Sequence, residues 1–581
     1  MRPVFSGKVG AMADGLLSAL RQLRSRLDHD LFPLAIGDVA ADRRALKELI
    51  GQLDDYLLPR LAAIDAPLLA VVGGSTGAGK STLVNSLVGA NVTKTGVLRP
   101  TTLAPTLVAN PADGPWFTAT EVLPGLPRVT GRGPGEPGTL KIVQTPELPE
   151  GLALLDAPDI DSVVTANREL AAQLLAAADL WLFVTTAARY ADEVPWGFLR
   201  TARERSTALG IILQRVPAEA LDPVTKDLSR LLRENDLADS PLFVIPELQL
   251  PQEHARLPEP NVRKIKDWLT SLSADAKARA EVVRQTLSGA LDSLAVRVPA
   301  LAEAADRQRL GVGELRGMAE RSYDVGMSGF DEGMRDGSLL RGEVLARWQD
   351  FIGTGDLMRS LESRIGWLRD RLTAIVTGRP APDRRLEVAL ESGVESLIRA
   401  TADGSAERAL ESWLATPSGR DLLERAGVAT AGRLGRATPE LPARAITTVR
   451  EWQGYVLDLV RSEGADKRNV ARAASFGVNS LGLLVMFGVF ASTGGVTGVE
   501  LGIAGGTSVL SQKLLEAIFG DQAVRNLTDQ ARGDLRARVR ALLDIEQARF
   551  TALLDDLEVP DSAALREAAQ AVEELKRELP A

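Results

Sequence analysis

Between residues 13 and 65, apolar positions recur at helical spacing. Leu16, Leu17, Leu20, Leu23 and Leu27 form one stripe, and Leu46, Ile50, Leu53 and Leu57 form a second. From 66 to 272 the period changes. Short apolar runs at 68–72, 140–143, 152–155, 180–184, 210–213 and 242–245 alternate with helical stretches. That alternation predicts a mostly parallel sheet wrapped by helices. Residues 111–138 are rich in Pro and Gly and are expected to form a long surface insertion. Helical spacing returns over 273–473, as in Leu339, Leu340, Val344, Leu345 and Trp348, with breaks near Pro380, Pro382 and Pro439. Residues 474–499 carry no charge, and nine glycines stud the stretch from Gly477 to Gly506. Beyond 520 the chain is again amphipathic, with Val524, Leu527, Leu535, Val539, Leu542 and Ile545 as its expected apolar face. The predicted organisation is an N-terminal helical segment (1–65), an α/β domain (66–272), a helical stalk (273–473), a hydrophobic Gly-rich hairpin (474–520) and C-terminal helices (521–581).

Composition narrows the chemistry. Among 581 residues, 45% are hydrophobic but only 4% aromatic, so the cores must be built from Leu, Val and Ala. The net charge of −9 argues against binding nucleic acid through a basic surface. No cysteine is present, which excludes disulfides, thiolate catalysis and Cys-based zinc sites. His29 and His254 are the only histidines, so a histidine-centred triad or metal site is not expected. The first twelve residues contain no apolar core of a secretory signal.

One stretch carries specific chemistry. Gly74, Ser75, Thr76, Gly77, Ala78, Gly79, Lys80 and Ser81 satisfy the P-loop pattern G-x-x-x-x-G-K-[ST] in full. A buried strand (67–72) precedes them and a helix (81–88) follows, as phosphate binding requires. Glycines let backbone N–H groups curl around phosphate oxygens, and the helix N-terminus favours negative charge. Lys80 is expected to reach the terminal phosphates, and the Ser81 hydroxyl to bind Mg²⁺. Thr82 continues the first helical turn. Asp156 ends the apolar run 152–155 and is the candidate carboxylate of the Mg²⁺ shell. Thr101 or Thr102, between the P-loop helix and the next strand, is placed to hold Mg²⁺ and a switch loop to the γ-phosphate. The fold class is therefore an α/β P-loop NTPase with a G-domain-like, mostly parallel sheet. A large all-α region bearing a hydrophobic helical hairpin accompanies it.

The motifs also carry a resemblance. Val71 through Gly89 is similar to the start of TRAFAC-class GTPases, which favour "GKSTLLNALLG". Leu154 through Ser162 resembles the "DTPGLDS" of dynamin-like proteins, and Arg99-Pro100-Thr101-Thr102 resembles their switch I. A G domain followed by a helical region with a hydrophobic tip resembles bacterial dynamin-like proteins. The motif resemblance covers about a third of the chain. It implies a Mg²⁺-dependent GTPase with slow turnover, stimulated by self-assembly with another copy or a paralogous subunit.

Three positions depart from that family. Asp159 replaces the glycine of D-x-x-G, leaving its backbone amide for the γ-phosphate. Thr76-Gly77 lacks the serine usual ahead of "AGKS". After the fifth expected strand, Gln214-Arg215-Val216-Pro217 stands in place of N/T-K-x-D. Gln214 is a candidate to hydrogen-bond the base and Arg215 to stack on it, but Pro217 occupies the position of the guanine-reading aspartate. The nucleotide is GTP by resemblance, with ATP open. An alternative reading is a P-loop ATPase or a low-turnover nucleotide switch acting through protein partners.

The uncharged run has two readings. Its first helix offers about 25–28 Å of apolar length at 1.5 Å per residue, marginal for a ~30 Å hydrocarbon core. Gly494, Gly498, Gly502 and Gly506 give a small-residue face for close helix crossing. Either 476–510 contacts a membrane, or it is the buried centre of a helical bundle. Glu500 opposes the first reading and the basic residues Arg468 and Arg472 favour it. The expected location is cytoplasmic, free or at the inner face of the cell membrane.

Overall fold

The computed structural model describes residues 7–94, 104–119, 122–130, 138–162, 164–250, 256–335, 382–463, 482–483, 485–486, 489 and 521–578. The chain divides into two compact units. One comprises Met1–Phe32, Asp38–Arg307 and Val559–Ala581, and the other Pro33–Gly37 and Gln308–Glu558.

The first unit opens with α1 (Gly7–Arg26), α2 (Val39–Gln52), a π turn (Leu53–Leu57) and α3 (Leu58–Ala62). The α/β part then runs β1 (Leu68–Gly74), α4 (Lys80–Val88), β2 (Thr106–Ala109), α5 (Gly114–Thr118), β3 (Arg128–Thr130), β4 (Leu140–Gln144), β5 (Leu152–Asp156) and α6 (Thr165–Ala176). It continues through β6 (Leu180–Thr186), α7 (Glu193–Glu204), β7 (Ala208–Val216), α8 (Leu221–Glu234), β8 (Leu242–Pro246), α9 (Glu259–Ala274) and the long α10 (Ala276–Arg335).

Eight strands form one sheet in the order β3-β4-β2-β5-β1-β6-β7-β8. All neighbours are parallel except β2 against β5. All six apolar runs are strands. The Pro/Gly-rich interval is not only surface insertion: it contains α5 and β3, and Phe117, Leu123 and Leu126 are buried. Its apolar residues are too sparse to show a period, yet they cap one end of the sheet.

Strand alternation divides the core between the two faces of the sheet. Leu69 and Val71 of β1 join Leu155, Trp181, Phe183 and Ile211 on one face. Leu68, Ala70 and Val72 join Leu154, Leu182 and Ile212 on the other. The leucine stripes of α1 and α2 close on the first half of α10 and the helix Ser562–Glu578. A buried polar anchor ties this helical lead-in to the sheet. Asp179, just before β6, accepts a hydrogen bond from the Leu69 amide at 2.9 Å and lies 3.1 Å from the Arg60 guanidinium. Tyr56 donates to the same carboxylate at 3.3 Å.

The second unit contains the rest of α10 and helices Pro382–Leu414, Pro417–Ala426, Val428–Leu434, Leu441–Glu463 and Asp521–Asp555. Trp413, Trp452, Tyr323 and Phe550 are fully buried there. The Trp413 ring meets Phe550 edge-on at 5.3 Å, and its indole N–H donates to the Leu315 carbonyl at 2.9 Å. Ile545 departs from its expected place. It is 47% exposed, while Leu543, Phe550 and Leu554 carry the apolar face. Of the uncharged run, Leu483, Val485, Met486 and Val489 are buried within the helical core of this unit. Gly482 is buried beside them, and the other residues of the expected hairpin lie outside the described residues. Among the described residues, no helix is long and apolar enough to cross a membrane.

Candidate functional site

The site is assembled at the C-terminal ends of β1, β5, β6, β7 and β8, where parallel sheets place ligands. β1 delivers the chain into the P-loop, and two glycines there are obligatory. Gly74 has φ +151°, and a Cβ on it would strike the Val184 carbonyl of β6. Gly79 has φ +91°, and its absent Cβ would lie 3.3 Å from Gln214 Oε1. The turn leads into α4, whose first residue is Lys80.

Lys80 is buried. Its ammonium donates to the carbonyls of Gly74 at 2.9 Å and Ser75 at 3.1 Å, and it pairs with the Asp159 carboxylate. At the next residue, the Ser81 hydroxyl donates to Asp156 Oδ2 at 2.7 Å. Asp156 Oδ1 is buried without a partner. Burial pushes the Asp156 carboxyl up to about 6, against the Ser81 hydrogen bond and the nearby Lys80 charge. A hydroxyl and a carboxylate oxygen with a free lone pair are the hard donors that suit Mg²⁺. Among the described residues, no cluster of three His, Asp or Glu side chains forms a self-contained metal cage. The donor set therefore fits a cation shared with phosphate.

Thr76 is clamped from the loop after β5. Its amide and hydroxyl both donate to Asp161 Oδ1, at 2.6 and 2.7 Å. Arg189, from the turn after β6, donates to Asp161 Oδ2 at 2.5 Å and reaches the Thr76 carbonyl at 3.4 Å. Burial works to raise the Asp161 carboxyl, but the Thr76 hydrogen bonds and the Arg189 charge outweigh it and hold it below its ordinary range.

A cavity of about 1100 Å³ opens beside the P-loop, roomy enough for a nucleotide. Thr76, Gly77 and Asp159 line it from the P-loop side, and Arg215, Pro217 and Glu247 from the ends of β7 and β8. In outline the chain is similar to bacterial dynamins. A structure of an oligomerised bacterial dynamin pair, described as a mechanism for long-range sensing and tethering of membranes, matches 97% of this chain and 94% of its own, at 11% identity and TM-score 0.42. The bacterial dynamin GTPase LeoA from ETEC matches 99% of this chain and 98% of its own, at 13% identity and TM-score 0.22. Toc33 from Arabidopsis thaliana, solved with Mg²⁺ and GMPPNP, matches 40% of this chain and 93% of its own, at 14% identity and TM-score 0.24. No protein-family model and no curated protein sequence matches the chain.

The structure brings together most of the residues expected from sequence. Gly74–Ser81, Asp156 and Asp159 form one constellation. Thr82 is half-buried in the first turn of α4, where its carbonyl accepts the Ser86 hydroxyl at 2.5 Å. Thr101 and Thr102 lie outside the described residues. The chain leading toward them is fixed by Asn85, whose side chain accepts the amides of Val92 and Thr93 at 2.8 and 2.9 Å.

Gln214 and Arg215 part company. The β7–β8 pairing breaks register between Leu213 and Val216, and Arg215 adopts φ +52°. That bulge leaves Gln214 buried under Gly79, with Nε2 unpartnered, and turns Arg215 into the cavity. Two further residues join the constellation: Asp161, which falls on the second aspartate of the Leu154–Ser162 motif without being an expected site residue, and Arg189, which no motif contains. Asp161 stands two residues beyond Asp159 and could be found from that spacing. Arg189 has no sequence signal, since only strand order brings it to the P-loop.

Proposed function

We propose that this chain is a dynamin-like nucleoside triphosphatase that transfers the terminal phosphoryl group of a Mg²⁺-bound nucleotide to water. The Ser81–Asp156 contact at the foot of the P-loop carries this reading, because it leaves one carboxylate oxygen free beside a hydroxyl and the Lys80 ammonium. Amides of the loop from Gly74 to Ser81, other than those of Thr76 and Ala78, which are bonded to Asp161 and to the Ser75 carbonyl, would cradle the phosphates, and Lys80 would contact the β- and γ-oxygens. Ser81 and Asp156, with Thr101 or Thr102, would hold the metal. Mg²⁺, when bound, neutralises charge on the phosphate oxygens. Asp161 and Arg189 fix Thr76 at the entrance of the loop, and the Asp159 amide faces the γ-phosphate. GTP is the nucleotide the motif resemblance favours. A second reading, a low-turnover switch working through partners, is favoured by the Asp159 carboxylate already paired with Lys80. Steady-state phosphate release separates the two.

Ser81→Ala and Asp156→Ala are each expected to weaken Mg²⁺–nucleotide binding by roughly tenfold to a hundredfold, the scale of a lost charge-assisted contact. Titration with a fluorescent nucleotide, with and without EDTA, checks this. Wild-type affinity in both variants would overturn the metal shell.

The proposed output is self-association, or pairing with a paralogous subunit, and membrane contact through 476–510. Apart from Glu500 that run is uncharged and Gly-rich, which supports the membrane part, whereas the burial of Leu483, Val485, Met486 and Val489 supports the alternative of a bundle centre. Intact protein is expected to sediment with anionic liposomes in the presence of nucleotide, and a chain lacking 476–510 to stay in the supernatant. Sedimentation of both, or of neither, removes the segment from the mechanism.

A further inference from the structure

The hydrogen-bonding edge of the base decides which nucleotide this cavity accepts. Guanine presents two adjacent donors, N1–H and the 2-amino group. Adenine presents an acceptor at N1. An ionised carboxylate only accepts, so it pairs with both guanine donors and repels adenine N1. In the family that the P-loop resembles, an aspartate at the end of the strand equivalent to β7 supplies this group. Pro217 stands there and has none to give.

The neighbouring strand offers a replacement. The parallel β7–β8 register aligns Val216 with Pro246, so the next residues, Pro217 and Glu247, emerge side by side. The Glu247 amide donates to the Val216 carbonyl at 2.8 Å, which fixes the backbone at that point. Its side chain is exposed and lines the cavity with Arg215 and Pro217. Among the described residues its carboxylate has no hydrogen-bond or ion-pair partner. Arg215, turned into the same cavity by the bulge, offers a planar cation to the face of a base. Ala220 and Val224 supply apolar wall.

We infer that Glu247 is the guanine-reading residue of this chain, its carboxylate accepting from N1–H and the 2-amino group of a guanine nucleotide. This rests on the nucleotide-binding reading above and adds the identity of the base. The expected aspartate is replaced across the sheet rather than lost.

The test is a base-swap titration on the full-length chain, with fluorescent GDP, ADP and XDP in Mg²⁺. Xanthine keeps N1–H but carries an acceptor at position 2, so an amide suits it and a carboxylate does not. Wild-type protein is expected to prefer GDP. Glu247→Gln is expected to lose roughly tenfold to a hundredfold in GDP affinity, gain XDP affinity, and, with the repulsion of adenine N1 removed, bind ADP at least as well as the wild-type protein does. The gained XDP binding and an unchanged melting temperature show that the variant is folded. If Glu247→Gln keeps wild-type selectivity while Lys80→Ala abolishes binding, nucleotide binding stands and the base assignment falls. If wild-type protein binds none of the three, both fall together.

Discussion

Lys80→Ala is expected to lower the affinity for Mg²⁺–nucleoside triphosphate by roughly a hundredfold or more. An ammonium contacting both β- and γ-oxygens makes two charge-assisted hydrogen bonds, each worth about 1.5–3 kcal/mol, so their loss spans roughly 10² to 10⁴ in affinity. The fold is expected to survive, because Lys80 holds only the carbonyls of its own turn and Asp159, whose side chain is 25% exposed and can rehydrate. The same contact gives a control of opposite sign. A phosphate reaching Lys80 displaces the Asp159 carboxylate, and two anions then compete for one buried ammonium. Asp159→Asn removes one competitor and keeps the backbone amide, so it is expected to tighten triphosphate binding several-fold. Isothermal titration of both variants decides the matter. Tight binding by Lys80→Ala would overturn the P-loop assignment, and a loss of binding in Asp159→Asn would mean that the carboxylate acts on the ligand side.

What could be read from the sequence follows from how local each feature is. Six strands were legible because each carries a run of four or five mainly apolar residues, fully buried in β1, β5 and β6 and largely half-buried in β8. β2 and β3 were not. β2 has only Leu107, Val108 and Ala109 as an apolar stretch, closed in by Pro105 and Asn110, and β3 is a three-residue edge strand, Arg128–Thr130, with no buried side chain. The P-loop was legible because its chemistry is contiguous, as was Asp156 at the end of its strand. Arg189 and Glu247 were not, because their relation to the site depends on strand order and register, β6 beside β1 and β8 beside β7. Gln214 shows the same limit within one strand. The bulge between Leu213 and Val216 decides which of two adjacent residues faces the cavity, and nothing in Gln214-Arg215-Val216 announces it. Ile545 sits on the expected helical stripe, but a 35-residue helix drifts relative to its partners. The contact face moves to Leu543 and Phe550.

Asp179→Ala is expected to destabilise the first unit more than any change at the nucleotide site. The carboxylate is 1% exposed and gathers three elements: the Leu69 amide of β1, the Tyr56 hydroxyl and the Arg60 guanidinium from the helical lead-in. Alanine leaves a guanidinium that is itself 8% exposed without its counter-charge, at a cost of about 3–5 kcal/mol. For a unit of this size that corresponds to a fall in melting temperature of roughly 4–7 °C. Taking both charges out of water offsets much of what such a buried pair gains. Burial raises the Asp179 carboxyl above its ordinary range despite Arg60 and the hydrogen bonds, so desolvation exceeds the attraction. Removing both charges should therefore restore most of what removing one destroys. Arg60→Met with Asp179→Asn keeps an acceptor for the Leu69 amide and is expected to melt close to wild type. Calorimetry on the two variants measures the difference. If the double variant melts as low as Asp179→Ala, the charge pair itself stabilises the join between lead-in and sheet, and desolvation is the smaller effect.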